Sequence, residues 1–301
     1  MATRTTSRLN PPALEAMPDG FEFFMTECEN VSSPTPDGEP EPSFRTCTVL
    51  VSFAKSNAER AALRPLLTAL SYGETKTGVV TGSDWLEKLV RSLSERLNAA
   101  DHGLVTAVIY TGSDSDSDAE TVQAATDAIR QCFGANLAAL LVVADTSLHR
   151  FNQVQGVTGF VIGASKTSAE TARSMFLCLA MLSAPNTLNG IDLVDLLPAL
   201  GTASAPAVLA DALWLRDGEG RLVFASVADA ATVRCAARIV AVPLIQGPWG
   251  WAELRRLSQA VAAEAIEASS EIVFAADGPL APRLCSTQVS MVPILCTTLS
   301  G

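Results

Sequence analysis

Apolar residues in the first part of the chain alternate between two textures. Unbroken runs ("TCTVLVSF" from Thr46, "LVTAVIY" from Leu104, "LAALLVV" from Leu137, "VTGFVIG" from Val157) read as strands buried on both faces. Between them lie helical stripes, from Asn57 to Leu70 and from Asp84 to Leu97, the second with Trp85, Leu86, Leu89, Val90, Leu93 and Leu97 on one face. A third helical pattern leaves an acidic turn and reaches Phe133. Strands and amphipathic helices in alternation predict an α/β fold with a parallel sheet covered on both sides. Ser168 to Ser183 is apolar almost all round, which predicts a long helix through the middle of the protein.

Past "PNTLNGIDLVDLL" the order changes. "PAVLADALWL", "RLVFASV", "IVAVPLI", "EIVFAA" and "VSMVPILC" read as strands, with helices near Asp229–Ala237 and Trp251–Ala268 between them. "RDGEGR" has the residues of a hairpin turn. This is a smaller α+β unit, not a continuation of the first. The expected organisation is a Pro- and acid-rich disordered tail over 1–44 and an α/β domain over 45–166. A central helix and acidic loop over 167–197 and a C-terminal α+β domain over 198–301 complete it. Within the tail, "FEFFMTE" is a compact apolar cluster that either packs back on its own domain or serves as a peptide motif for a partner.

Composition narrows the function classes. With 48% apolar and 18% charged residues the 301-residue chain is globular, and its net charge of −11 argues against a nucleic-acid partner. "MFLCLAMLSA" is too short to span a membrane. Seven scattered cysteines without a CxxC pair read mostly as buried thiols in a reducing compartment, hence a cytoplasmic protein. The basic, acid-free start "MATRTTSRLN" keeps an organelle stroma or matrix as the alternative. His102 and His149 are the only histidines, too little material for a His-based metal site or a serine triad.

The turn "YTGSDSDSDAETV" carries Asp114, Asp116, Asp118 and Glu120 where a strand hands over to a helix. Such a turn attracts anions through free amides and the helix dipole. Here Asp116 or Asp118 can take that seat as a helix cap. An EF-hand reading fails, because the required glycine and glutamate positions hold Ala119 and Ala125. The serines, each with an acid three residues on, would suit an acidophilic kinase.

Several segments then line up with one family. "LVRSLSERLNAADHGLVTAVIYTG", the loop "PNTLNGIDLVDLL", "IVAVPLIQGPWGWAELRRLSQAV" and "EIVFAADGPLAPRLCSTQVSMVPIL" together resemble the FtsZ/tubulin superfamily, over residues 46 to about 297. The resemblance implies an FtsZ/tubulin-like fold: a parallel nucleotide-binding-type sheet, a long central helix, then a smaller α+β domain. It also implies GTP in one subunit and an active site completed by the next subunit's acidic loop. Asp192 and Asp195 match the two aspartates of that loop and would act on a neighbouring subunit's nucleotide; the alternative is that they cap the next helix. Gly190 stands where the family has Asn.

The nucleotide side departs from the family. Its first glycine loop reads "FAKSNAER" here, leaving Asn57 as a candidate contact. Its second reads "TGSDSDSDAE", leaving Gly112 and Ser113, with Gly163 on a later strand. Like charges about 4 Å apart repel by ~4 kcal/mol at an effective dielectric of 20, so several carboxylates facing a triphosphate oppose it. "HRFNQVQG" is too short to rebuild the family's ribose and base contacts. The expectation is a degenerate pocket with no cofactor, GTP and Mg being the alternative. The protein would then be a non-hydrolysing subunit, cap or regulator that meets an FtsZ/tubulin-like filament subunit or self-assembles. A divergent active GTPase of the same superfamily and an unrelated α/β protein-binding module are the rival readings.

Overall fold

The computed structural model describes residues 20–30, 44–68, 76–81, 84–96, 102–112, 118–145, 148–183, 196–216, 218, 220–244, 250–265, 272–274 and 289–297. The strands are β1 (Gly20–Asn30), β2 (Phe44–Ser52), β3 (Lys76–Thr81), β4 (His102–Tyr110), β5 (Leu137–Val143) and β6 (Gly159–Gly163). They continue as β7 (Ala207–Leu215), β8 (Arg221–Phe224), β9 (Arg238–Ala241), β10 (Ile272–Phe274) and β11 (Val289–Thr297). The helices are α1 (Asn57–Leu63), α2 (Trp85–Arg96), α3 (Ala119–Phe133), α4 (Ser168–Leu182), α5 (Val227–Arg234) and α6 (Trp251–Glu264).

All the described strands join one sheet in the order β10-β9-β11-β7-β6-β5-β4-β2-β1-β3, with β8 beside β7. From β2 through β7 the neighbours run parallel, as the unbroken apolar runs require. One face carries α1, the 3-10 turn that follows it and α4, through Leu63, Leu66, Met175, Phe176 and Leu179. The other carries α2 and α3, through Leu89, Leu93, Val122 and Ile129, and farther along α5 and α6, through Val233, Leu254, Leu257 and Val261.

Residues 20–30, inside the stretch expected to be disordered, form a long strand between β2 and β3, antiparallel to both. "FEFFMTE" packs back on its own domain: Phe21, Phe23 and Met25 enter one core and Phe24 the other, so the strand is buried on both faces. β3 was not expected, since "KTGVVT" is short and part polar. Gly78 lies opposite Phe23, and a Cβ there would come within 2.4 Å of the Phe23 ring, so the glycine is the floor on which that ring rests. α1 stops at Leu63, short of the expected Leu70. Pro65 cannot donate the next helical hydrogen bond, and the chain tightens into a 3-10 turn over Arg64–Thr68.

α4 meets its expectation, with twelve of its residues buried. Its core cluster draws Phe24, Leu50, Val108 and Leu141 from the first half and Leu209, Val240, Leu244 and Leu295 from the second. β6 pairs with β7, and one sheet runs through both halves. The "RDGEGR" hairpin is present as antiparallel β7 and β8. β9 ends at Ala241, earlier than "IVAVPLI" suggests. The Val242 N–H reaches the Pro293 carbonyl at 2.9 Å, but Pro293 has no N–H to return, and Pro243 follows.

Candidate functional site

Ligands of open α/β sheets bind outside the carboxyl ends of the strands, where successive connections leave toward opposite faces. Here that point lies between β2 and β4: the chain leaves β2 for α1 on one face and β4 for α3 on the other. Both strands run on past their ends, with Phe53 N–H to Tyr110 O at 2.9 Å and Thr111 N–H to Val143 O at 3.1 Å. Phe53, Ala54, Tyr110 and Thr111 are all buried, so the floor of the crevice is closed by protein. The buried Arg60 donates from Nε to Ala54 O (3.0 Å), and Ala54 N–H donates to Ser52 Oγ (3.3 Å), so the first loop spends its backbone groups on itself.

Three helices begin at this end of the sheet, and each carries its own carboxylate at its N-terminus. Ser56 caps α1: its Oγ accepts from Glu59 N–H (3.2 Å) and donates to Glu59 Oε2 (2.7 Å). Asp118 caps α3, its Oδ1 accepting from Thr121 N–H at 2.8 Å. That bond, with the Thr121 side chain, holds the Asp118 carboxyl below its usual value. Thr167 caps α4 in a reciprocal box, where Glu170 Oε2 accepts from Thr167 N–H (3.2 Å) and Oγ1 (2.9 Å). Burial acts to raise Glu170, but the Thr167 bonds with Arg173 and Lys166 lower it overall. Tyr110 Oη bridges two of these helix starts, donating to Glu59 Oε1 and lying 3.2 Å from Ser168 Oγ. A protein carboxylate thus stands at each of these three helix starts, where the helix dipole favours an anion.

A second polar group lies at the seam of the halves. Asp229 is fully buried and accepts from Ser165 Oγ (2.5 Å), Ser226 Oγ (2.7 Å) and Asp211 N–H (3.1 Å). Beside it Lys166 Nζ and Asp211 Oδ1 form an ion pair at 2.8 Å, and Lys166 reaches Ser174 Oγ at 3.4 Å. Burial pushes the Asp211 carboxyl up, opposed by Lys166. Burial likewise raises the thiol of Cys178, and that of Cys296 to about 12. Cys47 is also buried, whereas Cys132 is half-buried and Cys235 exposed, so most of the described thiols, three of five, are buried as expected. Among the described residues no three His, Cys, Asp or Glu side chains cluster as metal ligands, and no helix is long and apolar enough to cross a membrane.

Of the residues picked out by sequence, Asn57 opens α1 as an exposed residue and Gly112 follows β4 with φ 77°, so both flank the crevice. Gly163 ends β6, two strands and about 10 Å from β4. A Cβ on Gly163 would lie 2.4 Å from Thr171 Oγ1, so this glycine serves the close packing of α4. Ser113, Asp114, Asp116, Gly190, Asp192 and Asp195 lie outside the described residues. The short link after β5 holds a 3-10 turn at Leu148–Phe151, and Gln123 of α3 pins its far end through Gln155 N–H (2.7 Å) and Gln155 O (3.3 Å). Tyr110, Glu59, Lys166, Asp211 and Asp229 escaped the sequence reading. The available signal was an aspartate inside the otherwise apolar strand "LADALWL", since buried acids need a partner.

No family model matches the chain, and no curated protein matches it in sequence. Among solved structures it is similar to CetZ2 from Haloferax volcanii in a GTPγS-bound protofilament, at 13% identity over 72% of each chain with a TM-score of 0.44. It is similar to CetZ1 from Haloferax volcanii, a GDP-bound monomer, at 9% identity over 73% of this chain and 72% of that one, with a TM-score of 0.42. It is also similar to an empty FtsZ dimer from M. jannaschii, at 10% identity over 72% and 70% of the two chains, with a TM-score of 0.40.

Proposed function

We propose that this chain is an FtsZ/tubulin-like cytoskeletal or division-filament protein that does not hydrolyse GTP itself. It acts as a subunit, cap or regulator of a polymerising partner. The observation that carries the reading is the set of self-capped helix starts at the sheet's switch point, with Glu59, Asp118 and Glu170 in the anion positions and Tyr110 bridging two of them. The "IDLVD" loop supports the other half of the reading. Asp192 and Asp195 there are offered to a neighbour whose own pocket is intact.

The test has two arms. Calorimetry with GTP and magnesium is expected to give binding no tighter than high micromolar; a sub-micromolar constant would instead mark a divergent active GTPase. In the second arm the protein is titrated into an FtsZ-type partner from the same source while GTP turnover is followed. A change that disappears with Asp192→Ala supports a donated catalytic loop. Identical curves for wild type and Asp192→Ala reduce the two aspartates to helix caps.

A further inference from the structure

The two halves share one sheet, but their ladder is short. β6 and β7 pair only at Val161–Ala207, Ile162–Val208 and Gly163–Leu209, and one further bond joins Ala164 N–H to Leu209 O at 2.9 Å. Beyond Leu209 the neighbour changes. β8 takes the place of β6 beside β7, beginning with Ala225 N–H to Asp211 O (2.9 Å) and the pair Ala212–Phe224. At the changeover the N–H of Asp211 faces neither strand, and Asp229 Oδ1 fills the gap. The same carboxylate holds Ser165, from the turn between β6 and α4, and Ser226, the cap of α5. On the opposite side of β7, Lys166 of that turn pairs with the Asp211 side chain.

On the face carrying α2, α3, α5 and α6 the halves have separate cores, one around Val122, Ile129 and Phe151 and one around Trp214, Val233 and Leu257. On the other face one core around α4 runs through both halves, whereas on this face, among the described residues, the crossing apolar contacts are small ones such as Ala203 on the first core and Ala164 on the second. A polar group that ties three segments across a seam with little apolar cover on that face can loosen there without melting either of the two separate cores.

We infer that Asp229, with Ser165, Ser226 and the Lys166–Asp211 pair, is a latch that holds the second half against the first, and that its release lets the second half open as a unit. The latch lies at the carboxyl end of β6, so whatever grips the turn at Ser165 and Lys166 also grips the hinge. Because the latch carboxylate receives one bond from each of three segments, its loss frees all three at once.

Native-state hydrogen exchange read by peptide mass spectrometry tests this on the full chain. In Asp229→Ala, peptides covering β7, β9 and β11 are expected to exchange at least about tenfold faster, while peptides from β4 and β5 keep wild-type rates. Equal acceleration in both halves, or none in either, overturns the latch. If Asp229→Ala does not fold, Ser165→Ala decides the matter. It removes one tie and leaves the carboxylate paired, and a smaller acceleration confined to the second half supports the inference. Uniform exchange in Ser165→Ala overturns it.

Discussion

Replacing Tyr110 by Phe removes one oxygen from the centre of the crevice and leaves the ring in place. Tyr110 is 0% exposed, so the substitution opens no channel to solvent and costs little packing. What disappears is a hydrogen bond to the Glu59 carboxylate and a 3.2 Å contact with Ser168 Oγ. A bond to a charged group contributes ~1.5–3 kcal/mol net when both ends are buried. Glu59 is only half-buried and keeps its bond from Ser56 Oγ, so water recovers part of the loss. The expected cost is therefore near the low end, about 1.5 kcal/mol. With a urea slope of roughly 3 kcal/mol/M, the unfolding midpoint should fall by about 0.5 M. Equilibrium urea unfolding of wild type, Tyr110→Phe, Glu59→Gln and the double variant forms a complete cycle. The two changes should be coupled by about 1 kcal/mol or more, since each removes the same bond. Additive effects, or a Tyr110→Phe protein as stable as wild type, would refute the strap between α1, β4 and α4 and reopen the crevice to a ligand.

Two further outcomes follow from the geometry. Leu179→Asp places an unpaired charge at a fully buried position of α4 and should destabilise by roughly 4 kcal/mol or more; a soluble variant melting with wild type would show that α4 is not central. The Asp118 carboxyl sits below its ordinary value of 3.8 in the folded protein, so its contribution is present above that value and is lost as pH falls through the lower folded one. Protection of the first α3 amides, taken relative to intrinsic exchange at each pH, should fall over that acid range in wild type, and Asp118→Asn should remove that change in protection.

Elements whose burial is written into adjacent residues were legible in the sequence. β2, β4 and β5 are unbroken apolar runs, and α4 is apolar all round, so each was placed within a few residues. Asp118 could be read as a cap because the signal for capping is local. β1 and β3 were not legible for the opposite reason. β1 is flanked by prolines and acids, and β3 owes its place to the Phe23 ring over Gly78, a contact more than fifty residues away in sequence. The continuity of the sheet through both halves rests on the β6–β7 pairing, and the polar group beside it on Asp211, Asp229 and Ser165, whose bonds span 18 and 64 residues. No window of the sequence contains all three. Tyr110 looked like the end of an apolar strand, and only the arrival of α1 and α4 gives its hydroxyl two partners.

The position of β11 has a consequence for how the chain is made. It is the last of the described strands, yet it stands between β9 and β7 and is the route by which β9 and β10 reach the rest of the sheet. A ribosome adding some 5–20 residues per second delivers β7 and β9 several seconds before the strand that joins them. During that interval α4 lacks the cover of Leu295, Trp214 lacks its register partner Ser290, and two strand edges face solvent or a chaperone. A stop codon shortly before Val289 would therefore cost far more than its few missing residues suggest, stranding β9, β10 and the helices packed on them without a sheet to join.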